Sequence, residues 1–160
     1  MQPDPPADSA PLAPAAPVAV SGDAPFLYFA WLVALVGTFS SLFFGEVMQL
    51  PPCTLCWYQR ICLFPLSLVL TVGILLKDAR VVHYALPLVV LGFGIAVYHN
   101  GVYWGVIPES LSPCAEGVSC REVHLEWLGF ITIPFLSFSA FSLIGASLWL
   151  HQRTTGSTEA

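Results

Sequence analysis

The sequence predicts an all-α fold: a bundle of four transmembrane helices with two outer loops, each bearing a cysteine pair. Three observations predict it. The 160-residue chain is 56% hydrophobic and 9% charged, against roughly 45–50% and about 25% in soluble domains. Its mean hydropathy is +0.76. Four apolar stretches run near the ~20 residues that a helix needs to cross about 30 Å of hydrocarbon. A helix satisfies its own backbone hydrogen bonds in lipid, so four stretches read as four helices. The length leaves room for one small bundle and short loops.

Residues 1–24 are rich in Pro and Ala and carry Asp4, Asp8 and Asp23. They show neither helical nor strand periodicity and are expected to form a disordered cytoplasmic tail. The charged n-region of a cleavable signal peptide is missing, so the first apolar segment is expected to act as an uncleaved signal-anchor. Residues 25–150 are the membrane domain. Segment one runs from about Phe26 to Phe44 without a charge. Segment two runs from about Trp57 to Leu76, with Arg60 as its only charge. Segment three covers about Val81 to His99, and segment four about Trp127 to Leu150. Trp57, Tyr58, Tyr98, Trp104 and Trp127 sit near segment ends as interfacial anchors. Pro65, Pro87 and Pro134 lie inside segments, where kinks are tolerated. Residues 151–160 are a short cytoplasmic tail.

Topology follows from the connections. An even number of spans puts both termini on one side. Lys77, Arg80 and Arg153 mark that side as cytoplasmic by the positive-inside rule. Residues 45–56 and 100–126 then share the opposite, extracytoplasmic side, where disulfides persist. The formal net charge is −5, and no basic patch is present, which argues against nucleic acid as a partner.

Both cysteine pairs fall on that outer side. Cys53 and Cys56 form a CxxC where segment two begins, after Pro51 and Pro52 have stopped helix one. Segment two is expected to start at or just after Cys56, whose thiolate the exposed N–H groups and helix dipole would favour. Arg60 lies four residues on, on the same helix face. A cation just inside a membrane helix is a functional hypothesis by default; here it would stabilise a thiolate at Cys56 or negative charge on a bound quinone. The alternative is an Arg snorkelling to the headgroups. Cys114 and Cys120 lie in a loop with Pro108, Pro113 and Gly117, and read as a mobile shuttle pair or as a structural staple. The two pairs together are also compatible with a four-cysteine zinc site, although no resident metal is expected. Cys62, deeper in segment two, reads as inert packing. His99, at the outer end of segment three, reads either as a contact for the head of a lipid-borne cofactor or as an interfacial histidine. His83, His124 and His151 have no clear role.

From Cys53 to Arg60 the chain reads Cys-Thr-Leu-Cys-Trp-Tyr-Gln-Arg. This stretch, with four spans, a cysteine pair between helices three and four, and Trp127-Leu128-Gly129, resembles the DsbB family, disulfide bond formation protein B. The BdbC-like branch is the best match. The resemblance covers about Phe26 to Leu150. It implies a membrane protein-disulfide oxidoreductase that reoxidises a DsbA-like, thioredoxin-fold dithiol oxidase and passes the electrons to ubiquinone or menaquinone. By position, Cys114 would meet the partner's cysteine, Cys120 would exchange with Cys53, and Cys56 would interact with the quinone, aided by Arg60 and, through a looser match, His99. Two features depart from the enterobacterial members. The Cys114–Cys120 spacing is shorter, and Gln59 stands where they carry an acidic residue; both look normal for the BdbC-like branch.

Three other readings compete. The vitamin K epoxide reductase family has a similar four-helix core, but there the loop cysteines precede the CxxC. A structural or metal-binding membrane protein with non-catalytic cysteines predicts that reductants or chelators loosen the fold without touching a partner's redox state. An inverted topology would put the cysteines in the cytoplasm.

Overall fold

The computed structural model describes residues 24–108, 110, 113–114, 120 and 132–156. The expected tail lies outside these residues except for Ala24, which opens the first helix. Four helices follow in order: α1 (Ala24–Leu42), α2 (Thr54–Leu76), α3 (Val81–Tyr103) and α4 (Ile133–Gly156). Among the described residues there is no strand. All four helices are long and apolar enough to cross a membrane.

Each helix has local reasons for its bounds. α1 runs on into a π-helical turn, Phe43–Val47, a wide turn that often marks a functional site. Lys77 ends α2 in the left-handed region, its N–H capping the carbonyls of Gly73 and Ile74. α3 continues past His99 to Tyr103. Asn100 fits there because its amide donates to the carbonyls of Ala96 and Pro134, which also ties α3 to the start of α4. Residues 121–131, including the expected start of segment four at Trp127, lie outside the described residues. Pro134 falls in the first turn of α4, where its missing N–H costs nothing and no kink is needed. Pro65 and Pro87 do lie inside helices.

The helices pack in a ring, α1 on α2, α2 on α3, α3 on α4 and α4 on α1. The ring alternates direction, so the Lys77–Arg80 connection and Arg153 share one end, and the CxxC shares the other with Cys114 and Cys120. The core is Leu66, Leu70, Val89, Phe141, Ile144 and Leu148 with small Ala30, Ala34, Ala85 and Ala96. Small residues let helices approach closely where lipid gives no hydrophobic drive between them. Gly92 is the tightest case: a Cβ there would overlap the Phe141 ring. Trp31 Nε1 donates to Thr71 Oγ1 at 2.9 Å, linking α1 to α2. Large apolar side chains such as Phe39, Ile61, Leu68, Leu75 and Val90 point outward. In water that surface would be a liability; in a bilayer it is the lipid face.

Candidate redox site

α2 opens on the first cysteine pair. Pro51 and Pro52 remove two backbone donors and keep the incoming chain out of helix. Cys53 is the N-cap residue, in extended conformation. Its sulfur accepts the backbone N–H of Cys56 at 3.3 Å, the part a Ser or Asp oxygen usually takes. This differs from the expectation that the helix begins at or just after Cys56 and favours the Cys56 thiolate. The helix starts at Thr54, and the N–H goes to Cys53. An N-cap side chain reaches the third residue of the first turn, and a CxxC supplies that spacing.

The Cys53 and Cys56 sulfurs are 2.6 Å apart, a short slide from the ~2.05 Å of a disulfide. Cys53 is buried and Cys56 half-buried. A hydrogen bond from the Cys56 thiol holds the Cys53 thiol well below the ordinary thiol range. His99 and the Cys56 N–H add to this, while burial opposes it.

The second pair comes to the same end of the bundle. Cys114 and Cys120 form a disulfide with Cα atoms 5.7 Å apart. Both are buried in a small cluster with Cys53, Leu55 and Val102. The loop between them, residues 115–119, lies outside the described residues. The Cys120 sulfur, the Cys53 sulfur and a ring nitrogen of His99 all lie within 4.8 Å of one another. Three such donors are close enough to share a metal ion. In this state, however, the Cys120 sulfur is bonded to Cys114, and a zinc site needs thiolates.

His99 is buried at 1% exposure. Its Nε2 lies 3.7 Å from Cys53 Sγ, and its Nδ1 lies 3.4 Å from the amide nitrogen of Gln59. Arg60 turns inward instead of snorkelling. Its guanidinium donates to the Ser41 carbonyl at 2.7 Å and sits 5.6 Å from the Trp57 ring centre. That carbonyl belongs to the last turn of α1, just before the π-helical turn.

A cavity of about 540 Å³ opens between α1, α2 and α4. Val33, Val36, Phe44, Leu63 and Leu136 contribute an apolar wall, and Cys53, Cys56, Gln59, Arg60, His99 and Cys120 a polar end. Its size falls in the usual range for small-ligand sites, and few convergent polar groups on an apolar wall is the usual pattern. The structure therefore brings Cys53, Cys56, Cys120, Arg60 and His99 to one cavity, with Cys114 held to it through the disulfide. Cys62 is buried in the apolar core with a free thiol. His83 lies near the opposite end, at the start of α3. Sequence reasoning missed Gln59 and Ser41 as members of the site. A Gln inside an otherwise apolar helix, one turn past a CxxC, was the available signal for Gln59; a backbone carbonyl such as that of Ser41 leaves none.

Comparison with known proteins gives a consistent picture. The family model described as "Disulfide bond formation protein DsbB" matches residues 23–151. "Disulfide bond formation protein C" of Bacillus subtilis is 43% identical over 119 residues, covering 74% of this chain and 86% of that one. "Probable disulfide formation protein" of Metapseudomonas resinovorans is 42% identical over 130 residues, covering 81% and 90%. A protein of the same description from Coxiella burnetii is 47% identical over 134 residues, covering 79% and 90%. No solved structure matches the chain.

Proposed function

This chain belongs to the DsbB family of disulfide bond formation proteins, and from that premise we propose that it reoxidises a DsbA-like thioredoxin-fold oxidase and passes the electrons to membrane quinone. The family and the four spans make it a multi-pass bacterial membrane protein and a thiol–disulfide oxidoreductase. The proposal adds the electron donor, the acceptor and the topology: termini cytoplasmic, both cysteine pairs extracytoplasmic.

One observation carries it. The Cys120 sulfur lies within 4.8 Å of the Cys53 sulfur, and both line the cavity that Cys56 and Arg60 also line. A loop disulfide, a helix-end pair and an apolar pocket thus form a continuous path. The partner's thiolate attacks Cys114, and the Cys114–Cys120 bond breaks to leave a Cys120 thiolate. The partner's second thiol then attacks the mixed disulfide and expels Cys114 as the thiolate, so the partner leaves oxidised and its two electrons stay on the reduced loop pair. Cys120 attacks Cys53 of the oxidised CxxC, and Cys56 leaves as the thiolate. Cys114 next displaces Cys53, which restores the loop disulfide and leaves Cys53 and Cys56 reduced. A quinone in the cavity supplies the acceptor for two electrons and two protons.

The residues present fit such a group. The cavity wall is apolar, as an isoprenoid-bearing ring requires, and the Arg60 guanidinium lies at the polar end, where negative charge would develop. Arg60 is fixed by its bond to the Ser41 carbonyl, so little reorganisation accompanies the charge. The acceptor also meets a thermodynamic need. A DsbA-type couple sits near roughly −120 mV, so an ordinary disulfide would not oxidise it.

The test mixes the purified protein with a reduced DsbA-type oxidase and ubiquinone or menaquinone. Quinone absorbance and partner thiols are followed together. Stoichiometric quinone reduction, abolished in Cys56→Ser and in Cys114→Ser, is the expected result. Absence of reduction with every natural quinone and partner tried would defeat the proposal.

A further inference from the structure

Among the described residues, the Gln59–His99 contact is the one buried polar pair at the site that the relay above leaves without a task. Gln59 is 5% exposed and His99 1%. Burying an amide and an imidazole is costly unless their hydrogen bonds are made. The geometry makes them in series across two helices. The Gln59 amide nitrogen on α2 lies 3.4 Å from His99 Nδ1 on α3. The other ring nitrogen, Nε2, lies 3.7 Å from Cys53 Sγ.

The direction of this chain follows from its first member. An amide nitrogen donates and does not accept. Nδ1 therefore accepts, and a neutral ring carries its proton on Nε2. That N–H points at the Cys53 sulfur. We propose that Gln59 is a positioning residue that fixes His99 in the Nε2–H tautomer, so that a neutral imidazole donates a hydrogen bond to the Cys53 thiolate formed during exchange. The proposal rests on the relay reading for its purpose, though not for its test.

Two consequences separate this from a merely structural contact. His99 in this tautomer stabilises the Cys53 thiolate and has no lone pair with which to deprotonate the Cys53 thiol. An acidic residue at position 59 would reverse the arrangement, because a carboxylate only accepts. It would draw a proton onto Nδ1 and favour a charged ring. Gln59 thus makes the support for Cys53 neutral. Among the described residues, the other titratable groups near Cys53 are Cys56 on α2, Cys114 and Cys120 on the loop, and Tyr98 on α3, which packs against the same cluster; Arg60 and Tyr103 line the same cavity. The cavity-lining residues of α1 and α4 present no titratable side chain.

The test uses the full-length, reduced protein with ¹⁵N-labelled histidine in detergent or nanodiscs, without quinone or partner. His99 signals are assigned by their loss in His99→Gln. The expected wild-type spectrum has Nε2 protonated and Nδ1 bare. Gln59→Leu is expected to give mixed tautomers, and Gln59→Glu to protonate Nδ1. In the same samples, iodoacetamide labelling of Cys53 is followed against pH by peptide mass spectrometry. Gln59→Leu is expected to slow it about tenfold at a fixed pH below neutrality, equivalent to about one pH unit. Gln59→Glu is expected to match or exceed the wild-type rate. A wild-type His99 protonated on Nδ1 would overturn the proposal, as would an unchanged tautomer in Gln59→Leu. If Gln59→Leu fails to fold, the near-isosteric Gln59→Glu decides alone: no change at Nδ1 refutes the assignment. Failure of quinone reduction would leave these signals unaffected, so the two proposals fall separately.

Discussion

If Cys120 exchanges with Cys53, those two sulfurs must be able to bond when their usual partners are removed. The double variant Cys56→Ser/Cys114→Ser leaves them as the only cysteines at the outer end, with Cys62 sequestered in the core. The sulfurs start within 4.8 Å of each other. A disulfide needs ~2.05 Å, so an approach of at most about 2.8 Å is required, within reach of side-chain rotamer changes and small loop movement. The new bond would close a loop of roughly 67 residues, for which chain entropy gives about 4 kcal/mol as an upper limit. The same relation gives about 2 kcal/mol for the short Cys114–Cys120 loop. Helices that stay in the bilayer on denaturation reduce both figures, but their order stands. The oxidised double variant is therefore expected to resist SDS or heat better than its own reduced form. The assay is mild oxidation in detergent, then digestion and mass spectrometry under non-reducing conditions. The expected product is a Cys53–Cys120 cross-linked peptide in most of the protein. Both thiols remaining open to alkylation after oxidation, with helicity intact, would refute the exchange geometry.

Three further predictions follow from single contacts. A Cβ on Gly45 would lie 2.9 Å from one Arg60 guanidinium nitrogen and 3.1 Å from the other, so Gly45→Ala should displace the guanidinium without removing its charge. Losing part of a charged hydrogen bond, about 1 kcal/mol, predicts roughly fivefold weaker quinone turnover at low quinone with near-normal stability; an unchanged KM would show that the Arg60 position is irrelevant. Gly92→Ala drives a methyl into the buried Phe141 ring and should cost about 1–3 kcal/mol in SDS unfolding, whereas a neutral result would mean that α3 and α4 are looser than described. Because the Cys53 thiol is held below its unfolded value, its contribution to the reduced protein is complete above the ordinary thiol range and lost as pH falls through the depressed value. Thermal scans should therefore show the reduced protein losing stability on acidification more steeply than the oxidised one, and parallel curves would contradict the depressed thiol.

The fold was legible because lipid leaves so few options: four apolar stretches of the right length, with Arg60 the one charge inside them, become four helices. The two cysteine pairs were legible as a common end because an even number of spans forces it. Boundaries were less so. The apolar pattern of segment two starts at about Trp57, yet the helix reaches back to Thr54, because a cysteine sulfur can cap a helix as an oxygen does. The apolar pattern of segment three stops at about His99, yet the helix runs to Tyr103, because Asn100 finds carbonyl partners on its own helix and at the start of α4. The Gln59–His99–Cys53 chain was out of reach. Its members are 40 and 46 residues apart, and their meeting depends on which face of α3 turns toward α2. In a soluble helix an apolar stripe would reveal that face. Here lipid-facing and core-facing positions are both apolar, and the stripe is missing.

That missing stripe also explains why polar residues carry so much information in this chain. A Gln, a His and an Arg inside apolar helices are each expensive in a membrane unless partnered. Here each has a partner: Gln59 with His99, His99 with Cys53, Arg60 with the Ser41 carbonyl. All three line the cavity at the end that holds the cysteines, while the core toward the other end is Leu, Val, Ala and Phe. A structural staple would need only the Cys114–Cys120 disulfide and would gain nothing from a buried imidazole beside a second, unbridged pair. On the proposed relay, thiol exchange would need a stabilised thiolate at the displaced Cys53 and a cation where negative charge collects, and this grouping offers groups suited to both within one cavity. The polar residues are thus arranged around the chemistry of the sulfurs, and the stability of the bundle is left to the apolar packing below them.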